Sequence, residues 1–139
     1  MAITQAMCNS FKTEILSGTH VSTDVYMIAL YTSAATLSKA TTAYSATNEV
    51  SGTGYVAGGQ TLVGFTAALD TDTAFIDWST DPSWANSTIT ARGALIYNST
   101  RSNKAVAVID FGSDITSTNG TFTVQFPLPA AATALIRIA

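Results

Sequence analysis

The first residues that could carry chemistry lie in the segment NEVSGTGYVAGGQTLVGF. Gly52, Gly54 and Ala57 fit the spacing G-x-G-x-x-A, which lets a backbone turn cradle a dinucleotide pyrophosphate. That function needs a buried strand before the turn and a helix after it. The preceding YSATNEVS has no buried-strand pattern, and the following GGQTLVGFTAAL begins with two glycines, which weaken a helix start. We therefore expect residues 51–59 to form a turn or extended segment, in which glycine permits positive φ and close approach of another backbone.

Nucleophilic hydrolysis is a second candidate chemistry. The single histidine, His20, has Ser17, Ser22 and Asp24 near it in sequence, and Cys8 is the single cysteine. A Ser–His–Asp triad and a Cys–His pair both depend on side chains that converge in space, which closeness in sequence does not provide. Lone histidines are more often structural or surface groups. We therefore predict that the chain is not an enzyme.

A calcium site is a third candidate, because four acidic residues are close in sequence: Asp70, Asp72, Asp77 and Asp81. They lack the glycine and the glutamate of an EF-hand loop, so a solvated turn is the expected structure and no metal or other cofactor is predicted. A related set of charged residues lies within strand patterns: Asp77, Arg92, Asp110 and Arg137. A charge buried in a sheet needs a partner, so a buried pair among them is an open alternative.

A carbohydrate-binding surface would need aromatic side chains on an exposed face. The candidates are Tyr26, Tyr31, Tyr44, Tyr55, Tyr97, Trp78 and Trp84. Trp78 and Trp84 flank the segment STDPS, and we expect both to pack in the core or at strand ends. A carbohydrate-binding module therefore stays as an alternative function.

Composition predicts a soluble domain with a surface of low charge. Of 139 residues, 47% are hydrophobic and 11% are charged, with a net charge of −3. Soluble proteins usually have about 25% charged residues, so we expect partners to cover much of this surface. The six basic residues are scattered, which argues against a nucleic-acid partner. The sequence has no secretory signal pattern and no membrane-spanning run, so we expect synthesis in a cytoplasm and no membrane partner.

One short helix is predicted near the start of the chain. Ser10 is placed to cap the segment FKTEILSG, and Gly18 is placed to end it. Its apolar stripe would consist of Phe11, Ile15 and Leu16. The residues before it, about 1–9, are expected to form an arm, because they contain too few apolar residues to become ordered alone.

The rest of the chain follows a period of two, which predicts strands. The strand patterns are DVYMIALYT, QTLVGFTAAL, TAFIDW, STITARGALIYN, NKAVAVIDFG, GTFTVQFP and TALIRIA. Turn signals such as NSTRSN and Asn119-Gly120 separate them. About seven to nine strands favour an all-β antiparallel β-sandwich or jelly roll over an α/β fold. We predict a single domain, 1–139, with a Gly/Thr-rich loop at about residues 32–60.

These segments resemble small virion proteins of tailed double-stranded DNA phages. The resemblance lies in CNSFKTEIL, DVYMIALYTSAATL, TTAYSATNEVSGTGYVAGG, ALIYNSTRSNKAVAVIDFG, GTFTVQFP and TALIRIA, which together span nearly the whole chain. The ALYTS and NEVSGTGY parts are the most distinctive, and they resemble both capsid-associated and tail-associated proteins. In size and β pattern the chain is most similar to capsid cement (decoration) proteins, especially jelly-roll cementing proteins of short-tailed phages.

The resemblance implies a structural virion protein, made in the host bacterial cytoplasm, that binds the outer capsid surface at junctions between major capsid protein subunits. It also implies self-association as a dimer or trimer, and it carries over no residue roles. From the residues themselves, partner binding is predicted for Ile3, Met7, Gly52, Gly54 and Tyr55. A tail- or fibre-associated virion protein is the alternative, and copy number per virion would separate the two.

Overall fold

The strand patterns form two antiparallel sheets in the computed structural model, which describes residues 2–127 and 134–138. Strand residues make up 50% and helical residues 8% of the part that the structure describes, so the predicted all-β sandwich with one short helix is confirmed. The elements are β1 Ala6–Met7, α1 Asn9–Leu16, β2 Tyr26–Tyr31, β3 Gln60–Thr61, β4 Phe65–Asp70, β5 Thr73–Trp78, β6 Ser83–Asn98, a 3₁₀ turn Ser99–Arg101, β7 Lys104–Thr123 and β8 Ile136–Ile138. The first sheet has the order β1-β7-β6-β2-β3, and the second has the order β4-β5-β8.

The β6–β7 hairpin is the framework of the first sheet. The NSTRSN turn forms as predicted, and Asn98 caps it by accepting from the backbone N–H groups of Thr100 and Arg101. The half of the hairpin next to this turn is largely buried, because α1 packs against β7 and the loop residues Tyr44 and Gly58 contact Tyr97 on β6. Val106 and Val108 are each 1% exposed there. The far half exposes a face rich in threonine, which places hydroxyl groups rather than charges at the surface.

The turn predicted at Asn119-Gly120 is wrong, because both residues lie within β7. Asn119 has φ +47°, and the register between β6 and β7 shifts beside it, between Ile89 opposite Ser117 and Ser87 opposite Gly120. An extra residue in one strand of a ladder makes a β-bulge, and asparagine tolerates the left-handed conformation that a bulge needs. The same local preference therefore produced a bulge where we predicted a turn.

The predicted strand QTLVGFTAAL is divided between the two sheets. Its start, β3, pairs with β2 in the first sheet, and its end, β4, pairs with β5 in the second. Between them Gly64 has φ +83°, so glycine is the residue that allows the chain to change sheet. Trp78 is 2% exposed and packs edge-on against Tyr26 and Phe65, which joins the second sheet to the first.

Helix α1 forms where predicted, but Ser10 is not its cap. Cys8 occupies the N-cap position, its side chain makes no capping bond, and Ser10 lies inside the helix with a buried Oγ that has no hydrogen-bond partner among the described residues. The start is set by long-range bonds instead, since Cys8 N donates to Val106 O at 3.0 Å. Phe11 is 1% exposed and Leu16 is 88% exposed, so the apolar stripe is narrower than predicted.

The N-terminal segment is not a free arm, and that prediction is wrong. Ile3 pairs with Leu37, and Ala6 and Met7 pair with β7 as strand β1. Ile3 is 8% exposed and lies against Gly93, where a built Cβ would be 2.9 Å from Ile3 Cγ2. Burying one isoleucine stabilises a fold by roughly 1.5–3 kcal/mol, so the segment contributes to its own domain.

The loop at residues 32–60 contains no helix and no strand apart from the start of β3, yet it is held at many points. Single bridges join it to Ile3, Tyr31, Thr88 and Lys104, and Val50 is 4% exposed in the core. Long loops without secondary structure are usually functional or disordered. This one is fixed to the sheet, so it presents a preformed surface.

Candidate functional site

The glycine segment, residues 51–59, lies directly on strands β2 and β6. Thr53 bridges Thr88, whose backbone N donates to Thr53 O at 3.0 Å. A Cβ built on Gly52 would be 2.6 Å from Thr88 O, and one built on Gly54 would be 2.8 Å from Ser87 Cα. The predicted turn or extended segment with close backbone approach is confirmed, and the approaching backbone is the chain's own. The next element is strand β3, so the helix that a nucleotide loop needs is not there.

A carboxylate and two tyrosines fix the end of the glycine segment. Both oxygens of Glu49 lie 2.9 Å from the Gly58 N–H, and the Tyr44 hydroxyl donates to Glu49 Oε1 at 2.8 Å. Tyr97 donates to Gly58 O at 2.6 Å and stacks on Tyr44 with ring centroids 4.8 Å apart. Burial, followed by the hydrogen bond to Glu49, raises the pKa of Tyr44 to about 12. These phenols therefore stay neutral and hold the loop by hydrogen bonding.

Tyr55 fastens the middle of the same segment. Its hydroxyl accepts the Leu30 N–H at 2.9 Å, and its ring lies 5.9 Å from that of Trp84. Burial raises the pKa of Tyr55 well above its usual value. Tyr55 is half-buried and acts here as a structural anchor.

The five predicted partner-binding residues fall in two separate regions. Gly52, Gly54 and Tyr55 lie together on the glycine segment over β6. Ile3 is buried, and Met7 is half-buried in β1 beside β7. All five contact the chain's own strands, and their role in binding a partner stays a prediction.

His20 belongs to a structural network and not to a hydrolytic triad. Its Nε2 lies 2.9 Å from Glu14 Oε1, and its Nδ1 lies 3.0 Å from Asn98 Nδ2. Asn98 uses its Oδ1 to accept two backbone N–H groups, so its amide donates to His20 Nδ1, and the imidazole carries its proton on Nε2. The Ser17 hydroxyl instead hydrogen-bonds to the carbonyl oxygens of Thr13 and Glu14. The histidine therefore joins α1 to the end of the β6–β7 hairpin.

The other candidate residues for catalysis or metal binding also make structural contacts. Burial raises the pKa of the Cys8 thiol to about 11, which disfavours the thiolate that a nucleophile needs. Asp77 is 1% exposed and accepts from the backbone N of Trp78 and Leu135, and burial raises its pKa. Within residues 2–127 and 134–138, no three metal-ligating side chains come together. The strand-borne charges Arg92 and Asp110 do pair, at 3.4 Å, but at a partly exposed position.

The aromatic candidates for sugar binding do not form an exposed face. Five of them are at most 5% exposed: Tyr26, Tyr31, Tyr97, Trp78 and Trp84. Tyr44 and Tyr55 are half-buried, and each ring packs on another aromatic ring. In the part of the chain that the structure describes, no aromatic side chain is fully exposed. Among the described residues, these aromatic rings therefore do not line up as an exposed stacking face.

The exposed large side chains are aliphatic, and the sequence analysis did not identify most of them. The most exposed are Leu16 at 88%, Val56 at 74%, Leu69 at 70%, Val63 at 57% and Ile138 at 51%. Val56 is next to Tyr55 on the glycine segment, and Leu69 and Ile138 belong to the second sheet. The sequence pattern did not indicate that Leu69 would be exposed, because Leu69 occupies a position in the strand alternation that is typical of a core residue.

One cavity of about 580 Å³ lies between β7 and the residues on either side of the β7–β8 connection. Its walls are mixed: Phe111, Ile115 and Phe122 on β7 contribute apolar surface, and Gln5 and Gln125 contribute polar surface. Its described lining includes no carboxylate, imidazole or thiol.

Among the described residues, no helix is long and apolar enough to cross a membrane. Comparison of the chain with protein-family models, curated proteins and solved structures finds no match.

Proposed function

We propose that this chain is a structural virion protein that binds the outer surface of a tailed-phage capsid and stabilises contacts between major capsid protein subunits. The observation that carries the proposal is a surface of few charges from which large aliphatic side chains project, notably Leu16, Val56, Val63 and Leu69. Such a surface suits contact with another protein. The resemblance of nearly the whole sequence to small virion proteins of tailed phages supports a virion role, and the size and β pattern, which are most similar to those of capsid cement proteins, support this location.

The fixed glycine segment supports a binding role of this kind. Its hydrogen bonds to Glu49, Tyr97 and Leu30 are made within the domain, so docking would not require the loop to become ordered. A preorganised surface loses less conformational entropy on binding. On an icosahedral shell each contact is repeated many times, so a modest affinity per copy stabilises the whole particle through mass action.

The direct test is co-sedimentation of the purified chain with capsids that lack it. We expect binding that saturates at roughly hundreds of copies per particle and a rise in the temperature at which particles release DNA, because icosahedral symmetry repeats the site. Saturation at tens of copies or fewer would instead indicate the tail- or fibre-associated alternative. No co-sedimentation with either capsids or tails would overturn the virion assignment.

Matched variants at Val56 test whether the glycine segment forms part of the docking surface. Val56 is 74% exposed, so neither Val56→Thr, which keeps its shape, nor Val56→Asp should alter folding. If Val56 is covered on the capsid, the threonine variant should bind somewhat more weakly and the aspartate variant at least about tenfold more weakly. Equal binding by all three proteins would exclude this residue from the contact.

A further inference from the structure

Among the described residues, the two sheets end in four edge strands, and one of them differs from the others. The edges are β1 and β3 in the first sheet and β4 and β8 in the second. Strands β1 and β3 have two residues each and β8 has three, whereas β4 has six. Short edges are a common protection against pairing with other chains. Strand β4 is long enough to act as a template for another strand.

Strand β4 also lacks the other features that block edge pairing. All six of its residues pair in unbroken register with β5, whereas the β6–β7 ladder has four register shifts. Its sequence, FTAALD, contains no lysine and no proline, and its one charge, Asp70, is at the end. Within the described residues, β5 is the only strand that pairs with it. Lysine, proline and bulges are what natural edges use to prevent association.

The hydrogen-bonding phase of β4 identifies which backbone groups point outward. Gly64 is opposite Ser79, one step beyond the pair Phe65–Trp78, and the Ser79 N–H donates to Gly64 O at 3.0 Å. Hydrogen-bonded and non-hydrogen-bonded pairs alternate along an antiparallel ladder. The residues at even positions 66, 68 and 70 therefore bond to β5. The backbone N–H and C=O groups of Phe65, Ala67 and Leu69 face away from the sheet.

We propose that β4 pairs antiparallel with β4 of a second copy of this chain, with the two-fold axis at Ala67. In this register Ala67 is opposite Ala67 of the second copy, and Phe65 is opposite Leu69. All three outward-facing residues then meet as hydrogen-bonded pairs, and the second sheets of the two copies join into one sheet with three strands from each.

The side chains make this edge self-complementary. Alanine at the axis meets its copy without a charge or a bulky side chain, and Leu69, 70% exposed in one copy, gains an aromatic neighbour across the strands in Phe65. Asp70 lies opposite Gly64, so no like charges face each other. A second copy is therefore the occupant that matches the edge in backbone phase, size and charge together. This inference concerns the isolated chain and does not depend on binding to a capsid.

The first test is charge reversal at the axis, measured by light scattering or sedimentation over a range of protein concentrations. Wild type should shift from monomer to dimer as concentration rises. Ala67→Glu alone and Ala67→Lys alone should each remain monomeric, because each places two like-charged side chains directly opposite each other, with Cβ atoms about 5 Å apart. An equal mixture of the two variants should dimerise again. Ala68→Glu is the matched control, since residue 68 faces Thr66 of the second copy and should leave the dimer largely intact.

Rescue by mixing separates this proposal from a folding defect, because two misfolded variants would not restore each other. A wild-type chain that stays monomeric at millimolar concentration overturns the proposal. So does a dimer that is unaffected by both charged variants, or a loss of dimer that mixing fails to restore.

The second test is disulfide cross-linking. Directly opposed residues in a hydrogen-bonded pair have Cα atoms about 5.5 Å apart, which a disulfide can span. Ala67→Cys should therefore form a covalent dimer under mild oxidation, whereas Ala68→Cys should not. The native Cys8 is 0% exposed and should not react. Equal cross-linking at positions 67 and 68, or none at 67, contradicts the proposed register.

Discussion

Replacing Gly54 with alanine tests whether the glycine segment is held against β6. Gly54 has φ +86°, a conformation that costs an L-residue roughly 1–2 kcal/mol. The new Cβ would also lie 2.8 Å from Ser87 Cα and 2.9 Å from Ser87 Cβ. Ser87 is 0% exposed and its hydroxyl is hydrogen-bonded to Ser117 at 2.7 Å, so it cannot move aside freely. Overpacking of this kind costs roughly 1–3 kcal/mol more.

Gly18→Ala is the matched control. Gly18 has φ +77°, but a Cβ built there meets nothing within 4 Å, so only the conformational cost applies. Urea unfolding should therefore give a loss of about 2–5 kcal/mol for Gly54→Ala and about 1–2 kcal/mol for Gly18→Ala. For a chain of this length, each kcal/mol lowers the melting temperature by roughly 3–5 °C. Equal losses in the two variants would refute the packing of this segment on β6.

Four further outcomes are expected. Deleting residues 2–8 should lower the melting temperature of the isolated chain, because the segment pairs with β7; an unchanged melting temperature would mean that it is an arm after all. The Cys8 thiol should resist a thiol reagent at about pH 8 in the folded protein and react once urea unfolds it, since burial raises its pKa to about 11. Asn98→Ala should cost about 2–4 kcal/mol of unfolding free energy, because it leaves several buried groups without hydrogen bonds; a cost under about 1 kcal/mol would contradict this. The hydrogen bond from Arg101 lowers the pKa of Asp24 to about 2, against about 3.9 in an unfolded chain, so its stabilisation is complete above about pH 5 and is lost as the pH falls towards 2. Arg101→Gln should therefore be less stable than wild type at neutral pH, and this difference should shrink between about pH 4 and pH 2; a constant difference would argue against the pair.

The strands with strong local patterns could be predicted from the sequence, and the short ones could not. Strand β2 is buried at five of its six positions, as its uninterrupted apolar run indicated. Strand β1 has only two residues, Ala6 and Met7, and its partners Val108 and Ala107 are about a hundred positions away. The local sequence pattern of the first nine residues does not indicate that they pair with β7. A segment with few apolar residues was therefore predicted to be an arm when a distant strand in fact holds it.

The histidine network could not be predicted either, because it too joins residues that are far apart in the sequence. The contacts of His20 come from α1, through Glu14, and from the end of the distant β6–β7 hairpin, through Asn98. Ser17 and Asp24 were instead considered as partners of His20, because they are close to it in sequence. Asp24 does take part, but it reaches Asn98 and Arg101 rather than the imidazole. Polar networks between elements depend on tertiary geometry, which a single sequence does not contain.

At the glycine segment, the close approach of another backbone was predicted correctly from the sequence. Which strand supplies that backbone could not be predicted. Glycine at positions 52 and 54 indicates that a backbone approaches closely. A backbone from the same chain and one from another subunit impose the same requirement, and here the approaching backbone is β6.

Strand β4 is a case in which the sequence pattern predicted burial that the domain does not provide. Phe65, Ala67 and Leu69 alternate as a core face would, yet burial decreases along the strand until Leu69 is 70% exposed. Among the described residues this apolar pattern stays uncovered, on an edge without bulge, lysine or proline, and our proposal is that a second chain completes it.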